Sequence, residues 1–237
     1  MAHETASEIN LAVAPSARSR EPVVLLSVGL LLLLVSRIGA AEPGTWVMEV
    51  FPIFIAAPIL VATAKRFPLT PLAYRLIFIH AIILMVGGHY TYAKVPLGFW
   101  MEHTFHFSRN HYDRIGHLAQ GFVPAIITRE VLLRRSPLVR GKWLFFLVTA
   151  VCLSISACYE FIEWAAAEIG GSQADAFLGS QGDVWDTQWD MLMALIGALV
   201  AQITLSRYHD RELAALSSAA TVPGGQSDTF AREPSSA

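Results

Sequence analysis

The sequence predicts an all-α transmembrane helix bundle, and three observations support this prediction. Hydrophobic residues make up 54% of the chain and charged residues only 15%, whereas a soluble domain carries about 25% charged residues. The apolar residues are concentrated in six long runs, each close to the roughly 20 residues that cross a bilayer as a helix. Basic residues are distributed unevenly between the connections, as in an oriented membrane protein.

The six predicted spans define one transmembrane domain. They are Val23–Ala41, Trp46–Ala64, Leu72–Tyr92, Tyr112–Leu133, Trp143–Trp164 and Val184–Leu205. The polar or small residues of segments 1–21 and 211–237 predict disordered cytoplasmic tails, which leaves 22–210 as the transmembrane domain. The lipid bilayer is therefore the expected environment. No basic cluster of the nucleic-acid-binding type occurs, so no nucleic-acid partner is expected.

Lysine and arginine counts orient the chain. With the N-terminus inside, 13 of the 17 basic residues, those near span ends included, fall on the cytoplasmic side and 4 on the outer side. Because basic residues accumulate on the cytoplasmic side, both termini are predicted to be cytoplasmic. An alternative is that Val23–Val35 and the small residues after it form a cleavable signal peptide. Cleavage would leave five spans and would not change their orientation.

Ionisable residues converge near the predicted outer ends of the last four spans. A helix rises about 1.5 Å per residue, which places these side chains at similar depth, and their spacing puts them on one face within each helix. The residues are His89 on the third span, Asp113, His117 and Gln120 on the fourth, Glu160 and Glu163 on the fifth, and Asp186 and Asp190 on the sixth. The sequence therefore predicts a shared polar pocket near the outer face.

The composition of this pocket indicates a possible metal site, because five carboxylates lie near few permanent cations and mix with imidazole. Such a ligand set suits a divalent metal such as Zn or Mn. The predicted metal ligands are His117, Glu160, Asp186 and Asp190. Asp113 and Glu163 are predicted as catalytic acid–base groups. This hypothesis implies a cell-envelope enzyme acting on a small-molecule or lipid-linked substrate.

Two other functions fit the same residues. Intramembrane ionisable groups also carry protons and ions, so a proton- or ion-handling carrier is one alternative. Polar side chains also join helices by hydrogen bonds, so a structural or assembly protein is another. The segments contain no paired broken helices in repeated halves, which weakens the transporter interpretation.

Three polar motifs resemble a known family. They are the runs Asn110–His117, Tyr159–Trp164 and Gly179–Met191. Over residues 45–210 the chain resembles the YjdF-like family of bacterial inner-membrane proteins, which implies a multi-pass inner-membrane location and supplies no activity. The last span also resembles VanZ-like membrane proteins, which implies a cell-envelope role. Ala194 stands where those proteins carry an asparagine, so the shared polar chemistry is not implied.

Overall fold

The structure, a computed structural model, describes residues 20–170 and 180–221. Within these ranges it contains seven α-helices, one short 3-10 turn and no strand. The helices are α1 (Glu21–Arg37), α2 (Pro43–Thr63), α3 (Pro71–Tyr90), α4 (Pro96–Phe105), α5 (Tyr112–Arg135), α6 (Lys142–Gly170) and α7 (Asp186–Thr221), and the 3-10 turn is Tyr92–Lys94. The prediction of an all-helical protein is confirmed.

Local sequence signals set the starts of the first four helices. Each of these helices has a proline in its first turn, where the missing N–H is not needed and the fixed φ favours the helix. Thr70 caps α3 by accepting a hydrogen bond from the Ala73 backbone N–H. His106 ends α4 in the left-handed region, with φ of 56°. The α4 helix lies in a connection for which the sequence predicts no span.

Helix α5 is the centre of the bundle and packs against α3, α6 and α7, while α1 and α2 pack against α3. The approach of α5 to α7 depends on two glycines. A Cβ on Gly121 would lie 1.8 Å from the Ala194 carbonyl oxygen, and one on Gly197 would lie 2.1 Å from the Leu118 carbonyl oxygen. Both contacts are with backbone, so a side chain at either position would push the two helices apart.

The bundle has two distinct ends. At one end, the Ser36 carbonyl at the end of α1 lies 2.9 Å from His89 Nδ1 near the end of α3. At the other end, Arg75 of α3 pairs with Glu21 at the start of α1. Helices α1 and α3 are therefore parallel. We call the end with Ser36 and His89 the pocket end, and α5 and α7 begin there. We call the end with Glu21 and Arg75 the basic end, and α5 ends there.

A buried network of charged side chains joins α3, α5 and α7 at the basic end. Glu130 is fully buried and accepts hydrogen bonds from the Thr70 N–H and hydroxyl and from Arg134. His209 Nε2 lies 3.1 Å from Glu130, and its Nδ1 lies 3.0 Å from Arg129 Nη1. Because arginine only donates, Nδ1 accepts and Nε2–H donates to Glu130. Both ring nitrogens of a neutral His209 imidazole therefore have hydrogen-bond partners in this network.

Four of the helices, α2, α3, α6 and α7, are long and apolar enough to cross a membrane. Helix α1 has 17 residues with many exposed leucine and valine side chains. Helix α5 has a low mean hydropathy because buried polar residues such as His117, Arg129 and Glu130 occupy its interior face. A multi-pass membrane protein is therefore supported, while the count of six spans and the orientation of the termini stay predictions.

The C-terminal helix is longer than the sequence predicts. Helix α7 continues to Thr221, into the segment 211–237 for which the composition predicts a disordered tail. The extension is anchored, since Glu212 accepts a hydrogen bond from the Leu72 N–H at 2.8 Å and Leu213 is buried. The rest of the predicted tails, residues 1–19 and 222–237, lies outside the described residues.

Candidate functional site

The candidate site is built on the first turns of α5. Asp113, His117 and Gln120 are spaced so that they share one face of this helix. That face is turned into the bundle, because His117 and Gln120 are buried and only 13% of the Asp113 side chain is exposed. The predicted stripe on the fourth span is therefore present.

The two nitrogens of His117 face different partners. Nε2 lies 3.5 Å from Asp113 Oδ1 and 4.0 Å from Asp190 Oδ2, which comes from α7. Nδ1 lies 3.1 Å from Gln120 Oε1, within hydrogen-bond distance. When Nδ1–H donates to this amide oxygen, the lone pair of Nε2 points toward two carboxylates. A proton or a metal ion at Nε2 would relieve the repulsion between these three acceptors.

Helix α6 brings two glutamates to the other side of the imidazole. Glu160 Oε1 lies 3.7 Å from His117 Nδ1, and Glu160 and Glu163 are both more than nine-tenths buried. Among the described residues, Glu160 Oε1 has no hydrogen-bond partner. An unpartnered buried carboxylate oxygen is costly, so this oxygen is a second place where a cation or a water molecule would be stabilised.

Two groups of side chains within the described ranges are close enough to hold a metal ion, with one ligand atom from each residue within 4.8 Å of the others. The first group is Asp113, His117 and Asp190, and the second is His117, Glu160 and Glu163. Both depend on His117, which stands between them.

Asp186 belongs to neither group. Its Oδ1 accepts hydrogen bonds from Arg109 and Arg114. The same two arginines also pair with Asp183, and Arg114 donates to Asp190 Oδ1 at 2.8 Å. The predicted ligand Asp186 is thus paired with two arginines, and its role as a metal ligand stays a prediction. Its carboxylate is neutralised by arginines from the connection before α5 and from α5 itself.

A cavity of about 40 Å³ adjoins Asp113 and His117. A water molecule needs roughly 10–15 Å³ of such volume, so the cavity holds a few waters or a hydrated ion but not a lipid headgroup. Its ionisable and polar lining is Glu49, His80, Tyr92, Asp113, His117, Gln120, Tyr159 and Glu163. The lining includes three carboxylates and no lysine or arginine, which favours a cationic occupant.

Two acid or imidazole side chains of this lining are not assigned to the pocket from the sequence, where the isolated His80 is typical of a hydrogen-bonded core histidine. Glu49 of α2 is buried, and His80 of α3 also faces the cavity. The signal for Glu49 was available, since it is the sole charged residue of α2 and intramembrane acids usually serve a function. His89, which lies at a similar predicted depth, instead contacts the Ser36 carbonyl of α1 and does not line the cavity.

The charges of the pocket end are unbalanced. Arg109 and Arg114 face three aspartates, Asp183, Asp186 and Asp190. Four further acids surround His117 or the cavity without an arginine or lysine partner among the described residues: Glu49, Asp113, Glu160 and Glu163. Protons, a metal ion or both must offset this excess, because several carboxylates do not all ionise at a site of low dielectric.

Comparison with known proteins places the chain in a membrane-protein family. A family model described as "Predicted membrane protein (DUF2238)" matches residues 21–211. The chain is 54% identical over 200 residues to the Escherichia coli (strain K12) "Inner membrane protein YjdF", a match that covers 83% of this chain and 95% of that relative. No solved structure matches the chain.

Proposed function

This chain belongs to the DUF2238 family of predicted membrane proteins, and from this premise we propose a six-span topology with a divalent metal centre. In this proposal both termini are cytoplasmic, and 22–210 form the membrane domain. The pocket end then faces the outer side of the membrane. The inner-membrane location agrees with the name of the Escherichia coli relative.

The topology is supported by charge and by helix direction. Basic residues favour the cytoplasmic side by 13 to 4, which is the strongest sequence determinant of orientation. Helices α1 and α3 run parallel to each other. When both cross the membrane outward, α2 must cross inward between them, as the six-span topology requires. Helix α5 completes the set of six spans, because the charged residues Arg129 and Glu130 in its second half are buried against other helices.

The observation that carries the metal proposal is the position of His117 Nε2 beside Asp113 and Asp190. The contact of Nδ1 with Gln120 orients the ring, and Arg114 orients Asp190 through its other oxygen. Such secondary contacts are typical of metal ligands. Mixed imidazole and carboxylate ligands suit Zn or Mn.

Three protein ligands leave a position open on the metal ion. Water or a phosphoryl oxygen at this position would be polarised toward reaction. Glu160 and Glu163, on the other side of the imidazole, are the acid–base candidates. The cavity is too small for a whole headgroup, so a lipid-linked or other amphiphilic substrate would present only its reacting group from the outer face. The proposed class is a metal-dependent cell-envelope enzyme.

Metal analysis of the purified protein tests this proposal. The protein is extracted in detergent without chelator, and its metal content is measured by inductively coupled plasma mass spectrometry. We expect one Zn or Mn ion per chain, and a loss of roughly tenfold or more in affinity for Asp113→Asn and Asp190→Asn. Affinity should also fall at acidic pH, because protons compete for the carboxylates and imidazole.

Glu42→Gln is a matched control, since Glu42 is an acid of the pocket end that pairs with Lys94 and lies outside both groups. This variant should keep its metal. Glu160→Gln separates the two groups, because it should keep metal only if Asp113 and Asp190 provide the ligands. A wild-type protein without stoichiometric metal would contradict the proposal, above all if the amide variants were more stable.

A proton- or ion-handling pocket is the second candidate. It is favoured by the size of the cavity, which accommodates water and small ions, and by the presence of His80 and Glu49 in its lining. Proton uptake by chelator-treated protein in liposomes would distinguish it from the metal centre. If neither metal binding nor uptake is found, the residues serve helix packing, as in the third interpretation of the sequence.

A further inference from the structure

A groove at the basic end lies between the α5–α6 connection and the C-terminal part of α7. It encloses about 300 Å³. Its lining includes the guanidinium groups of Arg134 and Arg140 and the apolar side chains of Leu138, Val139 and Leu213. Positive charge and apolar surface therefore adjoin the same space, which is the pattern that an anionic amphiphile requires.

The length of α7 places this groove at the level of the lipid headgroups. The 36 residues of α7 span about 54 Å, whereas the hydrocarbon core is about 30 Å thick. Measured from Asp186, Leu213 lies about 40 Å along the helix, at the edge of the headgroup layer. Trp143, in the first turn of α6, is 72% exposed, as expected for an aromatic residue at the membrane interface.

The groove keeps an excess of positive charge. Arg134 donates to Glu130, and Arg140 pairs through its Nε with Asp210 at 2.9 Å. Arg129, which does not line the groove, also pairs with Asp210, so the three arginines of this ion-pair cluster face two acids. Each guanidinium has five N–H donors, and both groove arginines therefore retain donors that suit the oxygens of a phosphate.

We propose that this groove binds the headgroup of an anionic phospholipid. The phosphate accepts hydrogen bonds from Arg134 and Arg140, and the glycerol and first acyl methylenes contact Leu138, Val139 and Leu213. The apolar lining and the headgroup depth favour a lipid over a soluble phosphate, because a free anion gains nothing from apolar surface. The assignment to the cytoplasmic leaflet rests on the proposed topology, while the binding itself does not.

Lipid retention by the full-length protein tests the site. Delipidated protein in detergent is titrated with phosphatidylglycerol or phosphatidylcholine of equal chain length, and bound lipid is counted by native mass spectrometry. We expect phosphatidylglycerol to bind at least fivefold more tightly. Ala214, an exposed residue of the groove, allows the charge to be changed without disturbing the core. Ala214→Glu should weaken binding roughly fivefold and Ala214→Lys should strengthen it by a similar factor.

Ala215→Glu is the matched control, since Ala215 is exposed on the same helix and does not line the groove. It should have little effect. Equal binding of phosphatidylcholine would overturn the proposal, as would equal loss in the Ala214→Glu and Ala215→Glu variants. Displacement of the lipid by equimolar glycerol phosphate would show a soluble-anion site instead. Asp113→Asn should leave lipid binding unchanged, so failure of the metal centre and failure of this site are distinguishable.

Discussion

Arg114 on α5 donates to Asp190 on α7 at 2.8 Å, and this aspartate is 1% exposed. Removing one partner of a buried pair leaves an uncompensated charge, which costs about 3–5 kcal/mol. We therefore expect Arg114→Gln to destabilise the chelator-treated protein by about that amount, measured by unfolding in mixed micelles. The double variant Arg114→Gln/Asp190→Asn should recover most of the loss.

Lys94→Gln is the control for the Arg114–Asp190 ion pair. The Lys94 and Glu42 side chains are 61% and 36% exposed, so their ion pair should contribute less than about 1 kcal/mol. If the double variant at Arg114 and Asp190 were as unstable as the single variant, the ion pair would not explain the effect.

Two buried glutamates should respond oppositely to the same substitution. Glu130 accepts hydrogen bonds from Thr70, Arg134 and His209, so Glu130→Gln should destabilise the bundle by about 3 kcal/mol. Glu160 has a buried oxygen without a hydrogen-bond partner in the described part of the chain. Glu160→Gln should therefore change stability by less than about 1 kcal/mol or increase it. Equal losses in chemical unfolding experiments would refute this distinction.

Because α5 and α7 pack closely, one methyl group added at Gly121 should strongly destabilise the protein. Gly121→Ala places Cβ against the Ala194 carbonyl, and overpacking of this kind costs about 3 kcal/mol. The control is Gly29→Ala, where the nearest atom outside the helix is a Phe78 side-chain carbon at 3.7 Å. It should not destabilise the protein. Thermal unfolding in detergent compares the two, and similar losses would show that the close approach is not the cause.

The topology is testable with fusion reporters. Alkaline phosphatase, which is active only outside the cytoplasm, should be inactive when fused after Arg140 and active when fused between residues 171 and 179. A fluorescent protein that folds in the cytoplasm should show the opposite pattern. Phosphatase activity at the first position, or its absence at the second, would exclude the six-span orientation.

The meeting of α5, α6 and α7 could be predicted because depth and helical period follow directly from sequence spacing. His117, Glu160 and Asp190 were placed at one level by counting residues along the helices, and they lie together in the structure. The spacing also predicted which face each side chain occupies. These properties are local to a helix, so a single sequence is sufficient to obtain them.

The partners of these residues depend on how the connections between helices fold. The spacing of residues along one helix contains no information about this. Arg109 precedes α5 and folds against α7, where it forms an ion pair with Asp186. Glu49 reaches the cavity through the packing of α2 against α3. The small residues at the end of α7 suit both a tail and a helix, and the contact of Glu212 with Leu72 holds this segment as a helix.

The separation of Arg114 from Asp190 in the chain has a consequence for biosynthesis. In the proposed topology α5 is a span that is synthesised well before α7, whereas the buried partner of Arg114 is Asp190 on α7. A nascent α5 facing lipid alone would carry the cost of unpaired charge. We expect α5 to remain beside the insertion machinery until α7 emerges, and a chain truncated after residue 180 to stay cross-linkable to that machinery from a probe at residue 118. Release of the truncated chain as rapidly as the full-length chain would contradict this order of assembly.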